Sequence, residues 1–200
     1  MEKGKGFDMD KVPDEQLMVN YKNGDASVME EIVARYTNPI YRFAFRLSKN
    51  AMEAQDITQE VFLRLHRSKS EYMPSGKFST WLFGIAHNLC VTKLRKSKWL
   101  AAWPVKKNDP ELLMDFESPD PSPREQAAEV ETASIVKDSI QSLPFLQKEA
   151  LILREYENLN YKEIARILGK PLGTVKILIH RARQALKKKL LPYIEEGGLR

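Results

Sequence analysis

Lys176, His180, Arg181, Arg183, Lys187, Lys188 and Lys189 crowd one short segment, and no acid interrupts them. Such a run suits a polyanion, because each cation held near a phosphate releases a condensed counterion. Ala165, Gly169 and Val175 lie at offsets of four and then six. Those are the offsets of a helix-turn-helix: a small residue on the first helix, a glycine in the turn and a branched apolar residue on the second. Ile164, Leu168, Leu172 and Leu178 supply packing residues, and Gly173-Thr174 opens the second helix, where exposed backbone N–H groups can meet a phosphate. With Val175 on the packed face, Lys176, Ile177, His180 and Arg181 project away from it. Arg181 and His180 are the candidate base readers, and Lys176, Arg183 and lysines 187 to 189 are assigned mainly to phosphates. An ordinary helical hairpin is the competing reading.

A second candidate surface lies on the helix predicted around Asp56 to Leu65. Residues set 100° apart gather Ala54, Ile57, Val61 and Leu65 on one stripe and Asp56, Gln59, Glu60 and Leu63 on the other side. A charged face is ordinarily a solvated one. Leu63, ringed by carboxylates and an amide, makes it a candidate protein-docking surface. A third group begins at Tyr72, in a polar loop, and continues through Phe78, Trp81 and Asn88 into Lys93, Arg95, Lys96 and Lys98. Rings followed by cations suit single-stranded nucleic acid, with bases stacking and cations following the backbone. Phe78 and Leu82 are read as core. For Tyr72, stacking and core packing both stand.

The elements that must position these groups are helices, since apolar residues recur at helical spacing and no segment alternates with period two for long. The expected fold class is all-α. A first helix is predicted over Asp14–Lys22 and broken at Gly24. A capping box of Ser27 and Glu30 starts the next, and Asn38-Pro39 restarts a helix carrying Ile40, Phe43, Ala44 and Leu47. A further helix spans about Met52 to Arg67, a loop covers Ser68 to Lys77, and a long helix begins near Phe78. After a break the pattern returns as Val130–Leu143, Phe145–Glu155, Tyr161–Leu168 and Pro171 to about Leu190.

That break is compositional. Five of the eleven prolines lie between Pro104 and Pro123, and eight acids against Arg124 give about seven negative charges between Asp109 and Glu131. Asp-Pro and Ser-Pro pairs discourage helix, so the stretch reads as a linker between two small helical domains. The expected bounds are a disordered 1–10, a first domain over 11–98, the linker over 99–126 and a second domain over 127–195. Tyr161 to Lys189 holds nine bases and one acid, Glu163, so the charge is segregated.

Several function classes fall away. Cys90 is the single cysteine, which rules out an intrachain disulfide and reads as a small buried side chain. Met1 to Asp10 are polar with no apolar core, so no signal peptide is expected, and no apolar run approaches the roughly 18 residues of a membrane helix, so a cytoplasmic protein without membrane insertion is expected. His66, His87 and His180 are scattered without ligand spacing, so neither a metal, another cofactor nor a catalytic group is expected.

Three blocks together resemble a known family. DITQEVFLRL at 56 to 65, FSTWLFGIAHN at 78 to 88, and YKEIARILG followed by PLGTVKILIHRARQAL at 171 to 186 look like the most recognisable parts of the extracytoplasmic-function sigma factors. The likeness spans about residues 14–98 and 127–190. It implies a region 2 domain and a region 4 domain, and a role in binding core RNA polymerase, recognising and melting promoters and initiating transcription for a stress or envelope regulon. By that resemblance Asp56, Gln59, Glu60 and Phe62, with Leu63 beside them, dock on the clamp of the polymerase largest subunit. The loop carrying Tyr72 captures a base of the downstream promoter element near Asn88, with Trp81, Lys93, Arg95 and Lys96 in the same region. Thr174, Lys176, Ile177, His180, Arg181 and Arg183 serve the upstream element. An anti-sigma protein is an implied partner. The rival reading is a helix-turn-helix regulator that binds duplex operators without joining polymerase. Two departures stand out: Gly84 replaces a frequent arginine, and Ile177-Leu178 replaces a frequent Ser-Arg.

Overall fold

The computed structural model describes residues 12–101 and 134–195, with the side chains of 94–101 and 195 excepted. The expected N-terminal tail, most of the acidic linker and the Arg95 and Lys96 side chains lie outside the described residues. Among those described every regular element is helical, as the periodicity predicts. The chain divides into two compact units.

The first unit holds α1 (Asp14–Lys22), α2 (Val28–Ser48), α3 (Ala51–Arg67), a short 3-10 turn (Lys69–Glu71) and α4 (Phe78–Ala101). α2 runs through Pro39 without a break, correcting the expected restart there. Pro39 removes one backbone donor, but an interruption would divide a stripe of Ile32, Tyr36, Ile40, Phe43, Ala44 and Leu47, all buried. The capping box expected at Ser27 does not form. Ser27 is itself helical, and its hydroxyl and N–H both donate to Asp25 Oδ1. Asn50 caps α3 instead, accepting from Glu53 N at 3.0 Å.

α1 and α3 both pack on α2, and the stripe Ala54, Ile57, Val61 and Leu65 is sealed. Edge-to-face contacts of Phe43 with Phe83 and of Tyr36 with Phe78, with centroids 5.3 and 5.2 Å apart, seat α4 on α2. Polar groups orient α1. Asp14 accepts from Arg35 and from the Tyr36 hydroxyl, both at 2.6 Å, and burial followed by that carboxylate raises the Tyr36 pKa. Cys90 is buried in this core.

The second unit holds α5 (134–141), α6 (Phe145–Glu155), α7 (Tyr161–Leu168) and α8 (Leu172–Glu195). α6 packs on α8, and Ile140, Leu143, Leu151 and Ala182 form its closed centre, backed by Val136, Ala185 and Leu186.

Candidate nucleic-acid and polymerase interfaces

The turn between α7 and α8 is built as its residues require. Gly169 has φ +59°, a left-handed conformation that glycine adopts without the cost a Cβ adds, and the Gly169 N–H donates to Arg166 O. Of the expected packing residues Ile164, Leu168 and Val175 are buried, and Ala165, Leu172 and Leu178 are half-buried. α7 starts on a capping box that was not among the expected elements. Asn160 Oδ1 accepts from Lys162 N and Glu163 N, and Glu163 Oε2 accepts from Asn160 N at 2.7 Å. The signal was present as Asn-x-x-Glu just before the apolar run. Arg154 braces the preceding loop, donating to Leu159 O at 3.0 Å with its guanidinium 5.4 Å from the Tyr161 ring.

α8 is two-faced. Val175, Ile179 and Ala182 are buried, while Thr174, Lys176, Ile177, His180 and Arg181 are exposed, Ile177 by 52 %. The five form one solvent-facing surface opening at Gly173, where an added Cβ meets no atom within 4 Å. Arg183 is exposed as well, and is ion-paired with Glu155 at 2.6 Å. Lys189 likewise donates to the Ser142 hydroxyl, whereas Lys187 and Lys188 extend into solvent.

In the first unit α3 presents Asp56, Gln59 and Leu63 to solvent, with Leu63 50 % exposed and Phe62 half-buried. Glu60 pairs with Arg64 along the helix at 3.1 Å. Asp56 reaches across to α4, where Lys93 Nζ donates to its Oδ2 at 3.1 Å. That contact sets the Lys93 side chain toward α3. Five residues beyond Asn88 turn a side chain about 140° around the helix.

Tyr72, for which stacking and core packing were both open, is 1 % exposed, set edge-on to Phe78 and to the half-buried Trp81, with centroids 6.0 and 5.2 Å away. Among the described residues its hydroxyl has no hydrogen-bond partner. Burial, followed by the charges of Glu15 and Asp14, raises its pKa. Core packing therefore describes this ring as it stands, because an aromatic buries more apolar surface here than the loop's polar composition suggested. α1 holds the loop at both ends: Lys22 Nζ donates to Tyr72 O at 2.8 Å, and Glu15 Oε1 accepts from Phe78 N at 2.9 Å. No local sequence pattern could disclose that, since the partners lie 50 and 63 residues apart. Asn88 is exposed on α4, and at Gly84 an added Cβ meets nothing within 4 Å.

Two family models match the chain: Sigma-70 region 2 over residues 32–100 and Sigma-70 region 4 over residues 134–186. The ECF RNA polymerase sigma factor SigW of Bacillus subtilis is 33 % identical over 172 residues, 84 % of this chain and 92 % of that protein. The chain belongs to the extracytoplasmic-function sigma factors. The RNA polymerase sigma-H factor of Pseudomonas aeruginosa is 33 % identical over 191 residues, 92 % of this chain and 97 % of that one. The fold likewise matches solved sigma factors at lower identity. CnrH, solved with the cytosolic domain of CnrY, aligns with TM-score 0.64 and 21 % identity, covering 88 % of this chain and 96 % of that one. RpoE of Bartonella quintana, solved with the anti-sigma factor NepR, aligns with TM-score 0.64 and 21 % identity over 80 % and 95 % of the two chains. As a sigma factor of this family, the chain carries its region 2 match on α2, α3 and α4 and its region 4 match on α5 to α8, which include the helix-turn-helix. No helix among the described residues is long and apolar enough to cross a membrane.

Proposed function

We propose that this sigma factor docks on core RNA polymerase through Asp56, Gln59, Glu60, Phe62 and Leu63 and reads promoters through two surfaces. At the upstream element the reading residues are Thr174, Lys176, Ile177, His180 and Arg181. At the downstream element they are Trp81 and Asn88 with the loop ending at Lys77, and Lys93, Arg95 and Lys96 follow the strand. The observation that carries the reading is the division of α8: Val175, Ile179 and Ala182 are sealed into the domain while Lys176, His180 and Arg181 face solvent without an acid among them. A helix so divided can enter a major groove without unfolding its own core.

The chain acts in the cytoplasm and does no bond chemistry of its own. Its partners are core polymerase and promoter DNA for a stress or envelope regulon, and an anti-sigma protein holds it in reserve. Solved relatives with the cytosolic domain of CnrY and with NepR support that last partner. Domain bounds of 11–98 and 127–195 fit this division of labour. The acidic stretch 99–126, with prolines that favour extension, is suited to a basic channel of the polymerase made for nucleic acid.

Size-exclusion chromatography with core polymerase tests the reading. The parent co-elutes with core, and the double variant Asp56→Lys/Glu60→Lys, keeping native helicity, loses about 2 to 5 kcal/mol of core affinity. Native helicity with undiminished co-elution would overturn the docking role. A parent that binds duplex DNA but never core would instead be an operator-binding regulator.

A further inference from the structure

We propose that Lys93 masks Asp56 in the free factor, so that polymerase docking and DNA binding are coupled through one ion pair. The inference rests on Asp56 being a docking residue, as proposed above. The groups belong to two functions. Asp56 stands on the α3 face with Gln59 and Leu63, and Lys93 is a cation of the helix that continues from Trp81 and Asn88. Their charged atoms are nevertheless 3.1 Å apart, with the side chains 59 % and 31 % exposed. Helix α3 holds Asp56 firmly, because Ile57 and Val61 beside it are buried, and α4 holds Lys93 through Leu89 and Cys90. Either partner can therefore find the other without rearranging the fold.

Each group has a competing claim on it. A cation of the polymerase must take Asp56 from Lys93, and a DNA phosphate must take Lys93 from Asp56. Whichever binds first has already broken the pair, so the second finds its residue unencumbered. By linkage the two affinities rise by one shared factor, fixed by the strength of the pair. For an exposed pair of this geometry the factor is roughly 1.5- to 5-fold, and it falls toward one as salt screens the charges. The coupling is modest but has the right sign, since it weakens DNA binding by free factor and strengthens it in the holoenzyme.

Titrating labelled full-length protein with core polymerase alone separates the possibilities. Lys93→Met removes a cation yet is expected to raise core affinity roughly 1.5- to 5-fold at low salt, whereas Lys93→Arg, which keeps the pair, matches the parent. Asp56→Ala weakens core binding but raises the affinity of the free protein for a mixed-sequence single-stranded oligonucleotide by a similar factor. A Lys93→Met variant that is folded and binds core no better than the parent, while Asp56→Ala still weakens core binding, overturns the mask and leaves the docking reading standing. If Asp56→Ala leaves core affinity unchanged, both fall together.

Discussion

Arg183 on α8 donates through Nη2 and Nε to Glu155 Oε1 on α6, at 2.6 and 3.2 Å. That hydrogen bond, more than its surroundings, raises the arginine's pKa further, so the residue is a permanently charged brace between the two helices. A side chain spent on a brace is a poor phosphate ligand. Lys187→Ala should reduce the salt slope of DNA binding by about one unit. Arg183→Ala should reduce it by clearly less while lowering stability by about 0.5 kcal/mol, a small amount because both groups are about half exposed. Fluorescence anisotropy over a salt series distinguishes them, and equal slope changes would place Arg183 on the DNA.

Arg181 is exposed beside His180 on the face opposite Val175, and a guanidinium there can form a bidentate pair with guanine. Arg181→Ala should flatten base preference at one upstream position, a loss of about 1 to 3 kcal/mol of discrimination. Ile177, which has no hydrogen-bonding group, favours apolar contact such as a thymine methyl. The measurement is selection from a randomised promoter library. Recovery of the parental consensus by Arg181→Ala would assign the arginine to phosphates.

Tyr72 lies in the core, so its truncation should unfold before it informs on melting. Tyr72→Ala leaves a cavity beside Phe78 and Trp81 and should cost about 3 to 5 kcal/mol, the range for a buried aromatic. Tyr72→Phe removes a buried hydroxyl that has no partner among the described residues and should be neutral or stabilising by about 1 kcal/mol. Urea unfolding of both variants is the check, and a destabilised Tyr72→Phe would reveal a hydrogen bond that the hydroxyl makes in solution.

The two glycines at 84 and 169 should respond with opposite signs. Gly84 sits inside α4 with room for a methyl group, so Gly84→Ala should stabilise by about 0.5 to 1 kcal/mol. At Gly169, φ +59° makes Gly169→Ala cost about 1 to 2 kcal/mol. Thermal melts of the two single variants decide it, and a stabilising Gly169→Ala would refute the strained-turn argument.

Much of this was set by the sequence alone. Helical periodicity determined the all-α class. The stripe of Ala54, Ile57, Val61 and Leu65 came from spacing, and the offsets of Ala165, Gly169 and Val175 located the turn, because these features depend on residues within one or two turns of each other. What the tertiary structure decided involves partners far apart in the chain. Pro39 stays inside α2 because a continuous stripe is buried against neighbouring helices, which propensity does not register. Glu15 and Lys22 hold the loop after α3 from an element fifty or more positions upstream, and that loop's polar composition left the burial of Tyr72 undecided. Charge counts gave Lys93 and Arg183 the sign DNA requires. Only packing showed that each meets a carboxylate on another helix, at Asp56 and Glu155, because an ion pair depends on distance in space rather than on order along the chain.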